Sequence, residues 1–183
     1  MIKRCFDVFV AFAGLVLCSP ILLLVAALIK VGNDGPVFFC QERVGKDFKV
    51  FQLLKFRTMC VNAEAGGRRI TVEGDSRVTK IGQWLRATKA DELPQLWNVL
   101  RGEMSIVGPR PEVAEYVDLF RDEYQEILSV RPGITDTSSI LFRRESELLA
   151  TAEDPVREYI DIILPQQIRL SSEYIRQRST LGD

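Results

Sequence analysis

Two adjacent carboxylates, Asp91 and Glu92, are the residues in this sequence best suited to chemistry. The apolar residues after them recur at the spacing of one helix face, which predicts that a helix begins here. Pro94 agrees with this prediction, because proline is tolerated in the first turn of a helix. Arg86 and Lys89 lie just upstream. Carboxylates surrounded by cations and by the amides of a helix start suit a phosphate, a metal ion or both.

A structural interpretation of the same pair competes with this one. Asp91 is a favourable residue at the N-cap of a helix, and Glu92 would interact favourably with the helix dipole. For an isolated Asp-Glu pair, the structural interpretation is the more common one. Other features of the sequence therefore have to decide between the two.

Three further cations stand near predicted strand ends or in rigid turns. Lys55 lies near the end of a predicted strand, Arg110 lies between two prolines, and Arg131 precedes a Pro-Gly pair. Because proline fixes the backbone, an arginine in such a turn loses little entropy when it binds a phosphate. With Arg86, these residues are candidate phosphate ligands. Each of them is also compatible with a structural role at the surface, where most cations lie.

An uncharged apolar run occupies residues 8–29 and is long enough to span a bilayer. Ser19 and Pro20 fall in its middle, where proline removes a backbone hydrogen bond and predicts a kink. Basic residues flank both ends, so charge gives no preferred orientation. Two alternatives remain open: a spanning helix, or a re-entrant helix that breaks at Ser19-Pro20 and returns to the same face, with the Ser19 hydroxyl satisfying the freed backbone. A cleaved signal peptide and the buried helix of a soluble protein fit less well.

Composition narrows the classes of function. The chain has no histidine, so acid–base or nucleophilic chemistry must come from carboxylates, lysine, cysteine or hydroxyl groups. The four cysteines show no metal-binding spacing and are expected to be reduced. The net charge of −1 gives no electrostatic reason to expect nucleic acid as a partner.

The periodicity predicts a mainly helical α+β fold with a short β-hairpin. The expected division is an N-terminal membrane helix (1–31) and one compact domain (32–183). Strands are expected at residues 37–44, 48–56 and 104–107, and helices at 78–87, 112–124, 142–150, 155–163 and 165–178.

Four sequence blocks follow the apolar run in order: KFRTM at 55–59, DELPQL at 91–96, MSIVGPRP at 104–111 and RPGIT at 131–135. Together with the run broken at Ser19-Pro20, they resemble the signature blocks of the bacterial sugar transferase family, the small monotopic phosphoglycosyl transferases. The resemblance covers residues 1–135 well and the remainder loosely. The segment 136–140 departs from the Gly-aromatic-x-Gln pattern of many relatives.

The resemblance implies an enzyme that transfers a sugar 1-phosphate from a nucleotide diphosphate sugar, typically a UDP-sugar, to polyprenyl phosphate, with UMP as the second product. It implies Asp91 as a covalent nucleophile and Mg²⁺ as the cofactor, with Asp91 and Glu92 as its ligands. Phosphoryl transfer needs mainly positioning and neutralisation of anionic oxygens. The expected ligands of the substrate phosphates are Lys55, Arg86, Arg110 and Arg131.

The resemblance also implies a re-entrant helix in contact with membrane lipids, in the bacterial inner membrane, with the active site on the cytoplasmic face. The phosphate of a lipid acceptor lies at the membrane surface, so an enzyme anchored in one leaflet can reach it. A homodimer is compatible with the sequence but not indicated by it. The rival hypothesis is an inactive membrane-anchored scaffold of a glycan assembly complex. The presence of Asp91, Glu92 and Arg110 argues against that rival.

Overall fold

The computed structural model describes residues 2–32, 35–61, 71–72 and 74–178. Most of them are helical, and an antiparallel pair and a parallel pair of strands complete the described part, which confirms the predicted mainly helical α+β fold. The helices are α1 (Ile2–Gly32), α2 (Lys80–Thr88), α3 (Gln95–Arg101), α4 (Ala114–Leu119), α5 (Arg121–Ile127), α6 (Thr137–Leu141), α7 (Glu145–Ala150), α8 (Pro155–Glu158) and α9 (Leu164–Gln177), and the strands are β1 (Phe38–Val44), β2 (Val50–Phe56), β3 (Ser105–Val107) and β4 (Gly133–Thr135).

The first part of α1 is fixed to the rest of the chain by polar contacts. Arg4 donates a hydrogen bond to the Val99 carbonyl in α3 at 2.7 Å. The buried Asp7 accepts hydrogen bonds from the Ser105 hydroxyl and from the Ile106 N–H in β3. Because a buried carboxylate is tolerated only when its oxygens are hydrogen-bonded, these contacts fix where α1 starts on the globular body.

The last part of α1 packs on the same body through apolar contacts. Val25 and Ile29 are buried with Phe56 of β2 and Leu85 of α2. Between the two flanks most of the large apolar side chains are exposed, and Leu17 is 78% exposed. The length and hydropathy of α1 would allow it to cross a membrane. A spanning helix, however, has its ends on opposite sides of the bilayer, whereas both flanks of α1 lie on one globular body.

The sequence predicted that the helix breaks at Ser19-Pro20. In the structure, the helix continues from Ile2 to Gly32, and Pro20 causes only the loss of one backbone hydrogen bond. Pro20 lacks the N–H that would bond the Val16 carbonyl four residues earlier. The Ser19 hydroxyl donates to that carbonyl at 2.8 Å. The predicted compensation by Ser19 is therefore present, and the helix is not divided into two elements.

β1 and β2 form the predicted hairpin, with Val44 opposite Val50 in the antiparallel register. A 3₁₀ turn (Lys46–Phe48) connects them, so β2 begins two residues later than predicted. Asp47 and Phe48 have φ values of 55° and 59°. This left-handed backbone reverses the chain tightly at the end of the hairpin.

α2 and α3 lie on either side of a turn that is held beside β2. Asn98 of α3 accepts a hydrogen bond from the Leu54 N–H at 3.0 Å and donates to the Gln52 carbonyl at 2.7 Å. On α2, Gly82 lies against the backbone of Thr58, and a Cβ at position 82 would collide with it. These two contacts place residues 89–94, between α2 and α3, next to the end of β2.

The parallel pair of β3 and β4 places two rigid turns side by side. The Gly133 N–H donates to the Pro109 carbonyl at 2.9 Å, and the Gly108 N–H donates to the Thr135 carbonyl at 3.1 Å. A Cβ at position 133 would collide with the backbone of Gly108. The close approach of the two turns therefore requires glycine at position 133.

The C-terminal part of the chain is helical over a longer uninterrupted stretch than predicted. A helix was expected to start at Pro165, but residues 155–177 are helical throughout. One π-helical turn (Tyr159–Ile163) precedes the proline, and the Leu164 N–H donates to the Tyr159 carbonyl. This wider turn accommodates a residue that has no N–H to donate. These helices pack with α4 and α5 around a second buried core.

Candidate active site

The two predicted carboxylates lie in a three-residue 3₁₀ turn (Ala90–Glu92) between α2 and α3. α3 begins at Gln95, so the prediction that it begins at Asp91 is wrong. A side chain at an N-cap accepts a hydrogen bond from the N–H two or three residues later. The Leu93 N–H already donates to the carbonyl of residue 90 at 3.3 Å, and Pro94 has no N–H. Asp91 therefore does not cap this helix.

The Asp91 side chain is buried but not fully hydrogen-bonded. It is 8% exposed, and its Oδ1 atom has no hydrogen-bond partner among the described residues. Burial raises the pKa of the carboxyl above its ordinary value; Lys55 opposes this effect, and the neighbouring Glu92 charge adds to it. A desolvated carboxylate with a raised pKa is more basic, and hence a stronger nucleophile, than a hydrated one.

Glu92 has the opposite electrostatic character. Its Oε1 atom accepts a hydrogen bond from Lys55 Nζ at 2.9 Å, and Arg110 Nη1 lies 4.0 Å from the same oxygen. Burial alone would raise the pKa of Glu92, but Lys55 and Arg110 lower it below its ordinary value. Burial also lowers the pKa of Lys55, against the attraction of Glu92. Glu92 is thus a stable anion that orients two cations.

Arg86 reaches the site from α2. Its Nε donates to the Thr58 hydroxyl at 2.8 Å, just beyond the end of β2. Burial lowers the pKa of Arg86, and the Asp91 charge is the strongest effect that opposes this change. A guanidinium stays charged even when its pKa is lowered. Arg86 is therefore a fixed positive charge facing Asp91.

Arg110 is held by the turn that follows β3. Its N–H donates to the buried Asp136 carboxylate at 3.3 Å. Its side chain lines a narrow cleft with Lys55 and Gln95. The predicted pre-set turn therefore carries Arg110 to Glu92 and Lys55.

The structure does not place Arg131 beside the two carboxylates. Its Nε donates to the Gly102 carbonyl at 2.7 Å, at the C-terminal end of α3, and the side chain is exposed. The turn with Asp91 precedes the opposite end of that helix. The structure thus brings Lys55, Arg86 and Arg110 to the two carboxylates and places Arg131 at a helix end, where a cation interacts favourably with the helix dipole.

The carboxylates of the site fit a Mg²⁺ ion that is bound together with substrate phosphates, and not one that is bound by protein side chains alone. The described residues include no group of three or more side chains that could form a metal site by themselves. Mg²⁺ is commonly bound by one or two carboxylates, with water and substrate phosphates in the other positions. The unpartnered Oδ1 of Asp91, beside Glu92, fits that mode.

Two contacts of the site were not predicted from the sequence. Thr58 accepts the hydrogen bond of Arg86, and its position in the KFRTM block beside Lys55 was a usable signal. Asp136 caps α6 by accepting from the Ser139 N–H at 2.6 Å and also accepts from the Arg110 N–H. An Asp followed by hydroxyl residues is a typical N-cap sequence. The segment that departs from many relatives thus supports the Arg110 turn.

Comparison with known proteins identifies relatives of this chain. A family profile described as Bacterial sugar transferase matches residues 1–183. The UDP-N-acetylgalactosamine-undecaprenyl-phosphate N-acetylgalactosaminephosphotransferase of Aeromonas hydrophila is 45% identical over 145 residues, which cover 76% of this chain and 34% of that protein. The undecaprenyl-phosphate glucose phosphotransferase of Komagataeibacter xylinus is 40% identical over 181 residues, which cover 95% of this chain and 32% of that protein.

A shorter relative matches over more of its own length. The putative undecaprenyl-phosphate N-acetylgalactosaminyl 1-phosphate transferase of Bacillus subtilis (strain 168) is 44% identical over 122 residues, 67% of this chain and 68% of that protein. This chain spans about a third of the length of the two relatives above, at 34% and 32%. The family profile nevertheless covers all of its residues. The chain belongs to the bacterial sugar transferase family.

Proposed function

We propose that this chain is a phosphoglycosyl transferase that moves a sugar 1-phosphate from a UDP-sugar to polyprenyl phosphate. The products are a polyprenyl diphosphate sugar and UMP. Its relatives are named as sugar phosphotransferases that act on undecaprenyl phosphate, and one of the names includes a UDP-sugar. The proposal assigns the chain to the first membrane step of bacterial glycan assembly.

One observation carries the proposal. Asp91 presents a buried carboxylate oxygen that has no hydrogen-bond partner in the described part of the chain; the charges of Lys55 and Arg86 act on Asp91, and Arg110 lies 4.0 Å from the neighbouring Glu92. A scaffold gains nothing from an unpaired carboxylate, because such a group costs stability. A nucleophile needs this arrangement, since its attacking oxygen must be free.

In the first step, an oxygen of Asp91 attacks the phosphorus that carries the sugar. The bond from that phosphorus to the bridging oxygen breaks, and UMP leaves with this oxygen and its electron pair. Asp91 then carries the phospho-sugar as an acyl phosphate. No proton moves in this step, so the lack of histidine is no obstacle. Lys55, Arg86 and Arg110 neutralise the phosphate oxygens while charge builds up on them.

In the second step, a phosphate oxygen of the polyprenyl phosphate attacks the same phosphorus and releases the Asp91 carboxylate. Glu92 keeps Lys55 and Arg110 in place through both steps, because its ion pair with Lys55 is short and partly buried. Mg²⁺, when held by Asp91, Glu92 and the substrate phosphates, supplies further neutralisation of phosphate charge.

The proposed setting is one leaflet of the bacterial inner membrane, with the site on the cytoplasmic face. Both flanks of α1 lie on the globular body, and its outward side is apolar. Such a helix can bury its outward apolar side in one leaflet and keep both flanks at that side of the bilayer. A soluble sugar nucleotide and a lipid phosphate can then meet at headgroup depth.

The proposal is tested by incubating the purified full chain with radiolabelled UDP-sugars and Mg²⁺, with and without polyprenyl phosphate in vesicles. UDP-N-acetylgalactosamine and UDP-glucose belong in the panel, given the names of the relatives. We expect UMP release and a labelled lipid, both lost in Asp91→Asn and with EDTA. A labelled phospho-sugar trapped on Asp91 distinguishes the two-step route from direct displacement. Normal turnover by Asp91→Asn would refute the mechanism.

A further inference from the structure

Arg57 is a buried cation that the site described above does not use. The residue follows β2 directly and is 8% exposed. The Nε and Nη2 atoms of its guanidinium have no hydrogen-bond partner among the described residues. A guanidinium cannot lose its charge in a protein. A buried, permanently charged group without a partner is costly, so it points to an anion that binds there.

The surroundings of Arg57 place it where the chain leaves the apolar helix. Its backbone N–H donates to the Val37 carbonyl at 2.9 Å. Its side chain lies against Gly35, where a Cβ would collide with the guanidinium. Lys30 in the last turn of α1 donates to the Gly35 carbonyl at 3.3 Å. Two cations therefore converge on the connection between α1 and β1.

In the proposed membrane setting, this position would lie at the depth of lipid headgroups. The apolar run of α1 ends at Ile29, and Lys30 begins the polar part of the chain. Cations at the end of an apolar segment extend toward the membrane surface, where lipid phosphates lie. Arginine binds phosphate through two parallel N–H donors. The two unpartnered nitrogens of Arg57 provide such a pair of donors.

Arg57 is also connected to the candidate nucleophile. The next residue, Thr58, accepts the hydrogen bond of Arg86, whose charge acts on Asp91. Lys55 and Arg110, the proposed ligands of the sugar-nucleotide phosphates, line a cleft to which Arg57 does not contribute. We propose that the Arg57 guanidinium binds the phosphate group of a membrane lipid, either the polyprenyl phosphate acceptor or a phospholipid headgroup.

The test uses the full chain in neutral detergent micelles, without UDP-sugar. Polyprenyl phosphate, phosphatidylglycerol, phosphatidylcholine or inorganic phosphate is titrated in separate arms, and the rise in Tm gives an apparent Kd for each. We expect Arg57→Gln to weaken binding of a lipid phosphate by about 10-fold to 100-fold, the usual effect of losing hydrogen bonds to a charged group. Arg57→Lys keeps the charge without the paired donors and should lie between. Arg157→Gln, an exposed arginine paired with Asp161 on the surface, is the matched control and should bind as the unmodified chain does.

The separate titrations distinguish the two possible sources of the bound phosphate, the polyprenyl phosphate acceptor and a phospholipid headgroup. A loss confined to polyprenyl phosphate assigns the acceptor, and an equal loss for phosphatidylglycerol assigns a general headgroup site. Unchanged lipid binding by Arg57→Gln, or a loss seen only with inorganic phosphate, overturns the proposal. A structural role for Arg57 predicts a lower Tm of the ligand-free variant, whereas removal of an unpaired buried charge predicts an equal or higher one. The assignment of the acceptor rests on the proposed function, whereas the binding measurement does not. Absence of turnover would therefore contradict the proposed function, and absence of lipid binding would contradict the role of Arg57.

Discussion

Replacing the two adjacent carboxyls one at a time should change stability in opposite directions. The pKa of Asp91 is raised by burial, so its charged form is disfavoured in the folded protein. The pKa of Glu92 is lowered by Lys55 and Arg110 despite burial, so its charged form is favoured. Asp91→Asn is therefore expected to raise Tm at neutral pH, and Glu92→Gln is expected to lower it.

The magnitudes follow from the contacts. A buried group left without a hydrogen bond costs about 1–3 kcal/mol, and more when it is charged. Asparagine keeps the shape of Asp91 and removes the charge, so we expect a gain of about 1–2 kcal/mol, which is roughly 2–8 °C in Tm for a chain of this size. Glutamine at position 92 can still accept from Lys55 but loses the ion pair. We expect it to lower Tm by a similar amount, about 2–8 °C.

The pH dependence of stability tests the predicted directions of the two stability changes a second time. The raised pKa of Asp91 means that its unfavourable contribution appears as pH rises from the ordinary value of 3.8 through the folded-state pKa. The advantage of Asp91→Asn should thus be present at neutral pH and disappear in acid. The lowered pKa of Glu92 means that its favourable contribution is complete above the ordinary value of 4.5 and is lost as pH falls through the folded-state pKa.

The assay is thermal unfolding of the full chain and the two variants in the same detergent, with EDTA present so that no divalent ion adds to the charge balance. UMP release is measured on the same preparations and should be absent for Asp91→Asn. If Asp91→Asn were no more stable than the unmodified chain while Glu92→Gln was no less stable, the assigned electrostatics of the turn would be wrong.

Three further predictions test the site and its setting. The rate of UMP release should fall with increasing acidity at a pH above 3.8, because Asp91 has a raised pKa and must be ionised to attack; a rate that stays constant down to 3.8 contradicts this. Gly133→Ala should lower stability by about 1–3 kcal/mol, the usual cost of overpacking, and reduce kcat more than tenfold through displacement of the Arg110 turn, whereas Gly32→Ala, which meets open space, should do neither. The exposed thiols Cys5 and Cys60 should react with an impermeant maleimide from the same, cytoplasmic side; labelling of Cys5 from the periplasm excludes the re-entrant arrangement.

The sequence predicted the parts of the site that depend on local chemistry. Lys55 near a strand end and Arg110 in a rigid turn could be recognised because their neighbours fix the backbone without help from distant residues. In the structure both of them lie at Glu92, while their predicted role as phosphate ligands stays a prediction. The β-hairpin was predictable for the same reason, since alternation and turn residues are local signals.

Features that depend on long-range packing were not predictable. Arg131 stands in a turn as rigid as that of Arg110, yet it donates to the end of α3, which only the pairing of β3 with β4 determines. The burial of Arg57 depends on Gly35, far away in sequence, lying against it.

Pro94 explains why the candidate nucleophile is free to react. A helix that began at Asp91 would offer its carboxylate the N–H groups of residues 93 and 94, and hydrogen bonds from them would lower its pKa. Proline removes the second donor, and the 3₁₀ turn uses the first, because Leu93 donates to the carbonyl of Ala90. Asp91 is left buried, with its pKa raised and with one oxygen that has no partner among the residues that the structure describes, while Glu92, one residue later, accepts a hydrogen bond from Lys55. A single residue that cannot donate a hydrogen bond thus gives two neighbouring carboxyls different environments, which suit the proposed roles of Asp91 as nucleophile and Glu92 as positioning group.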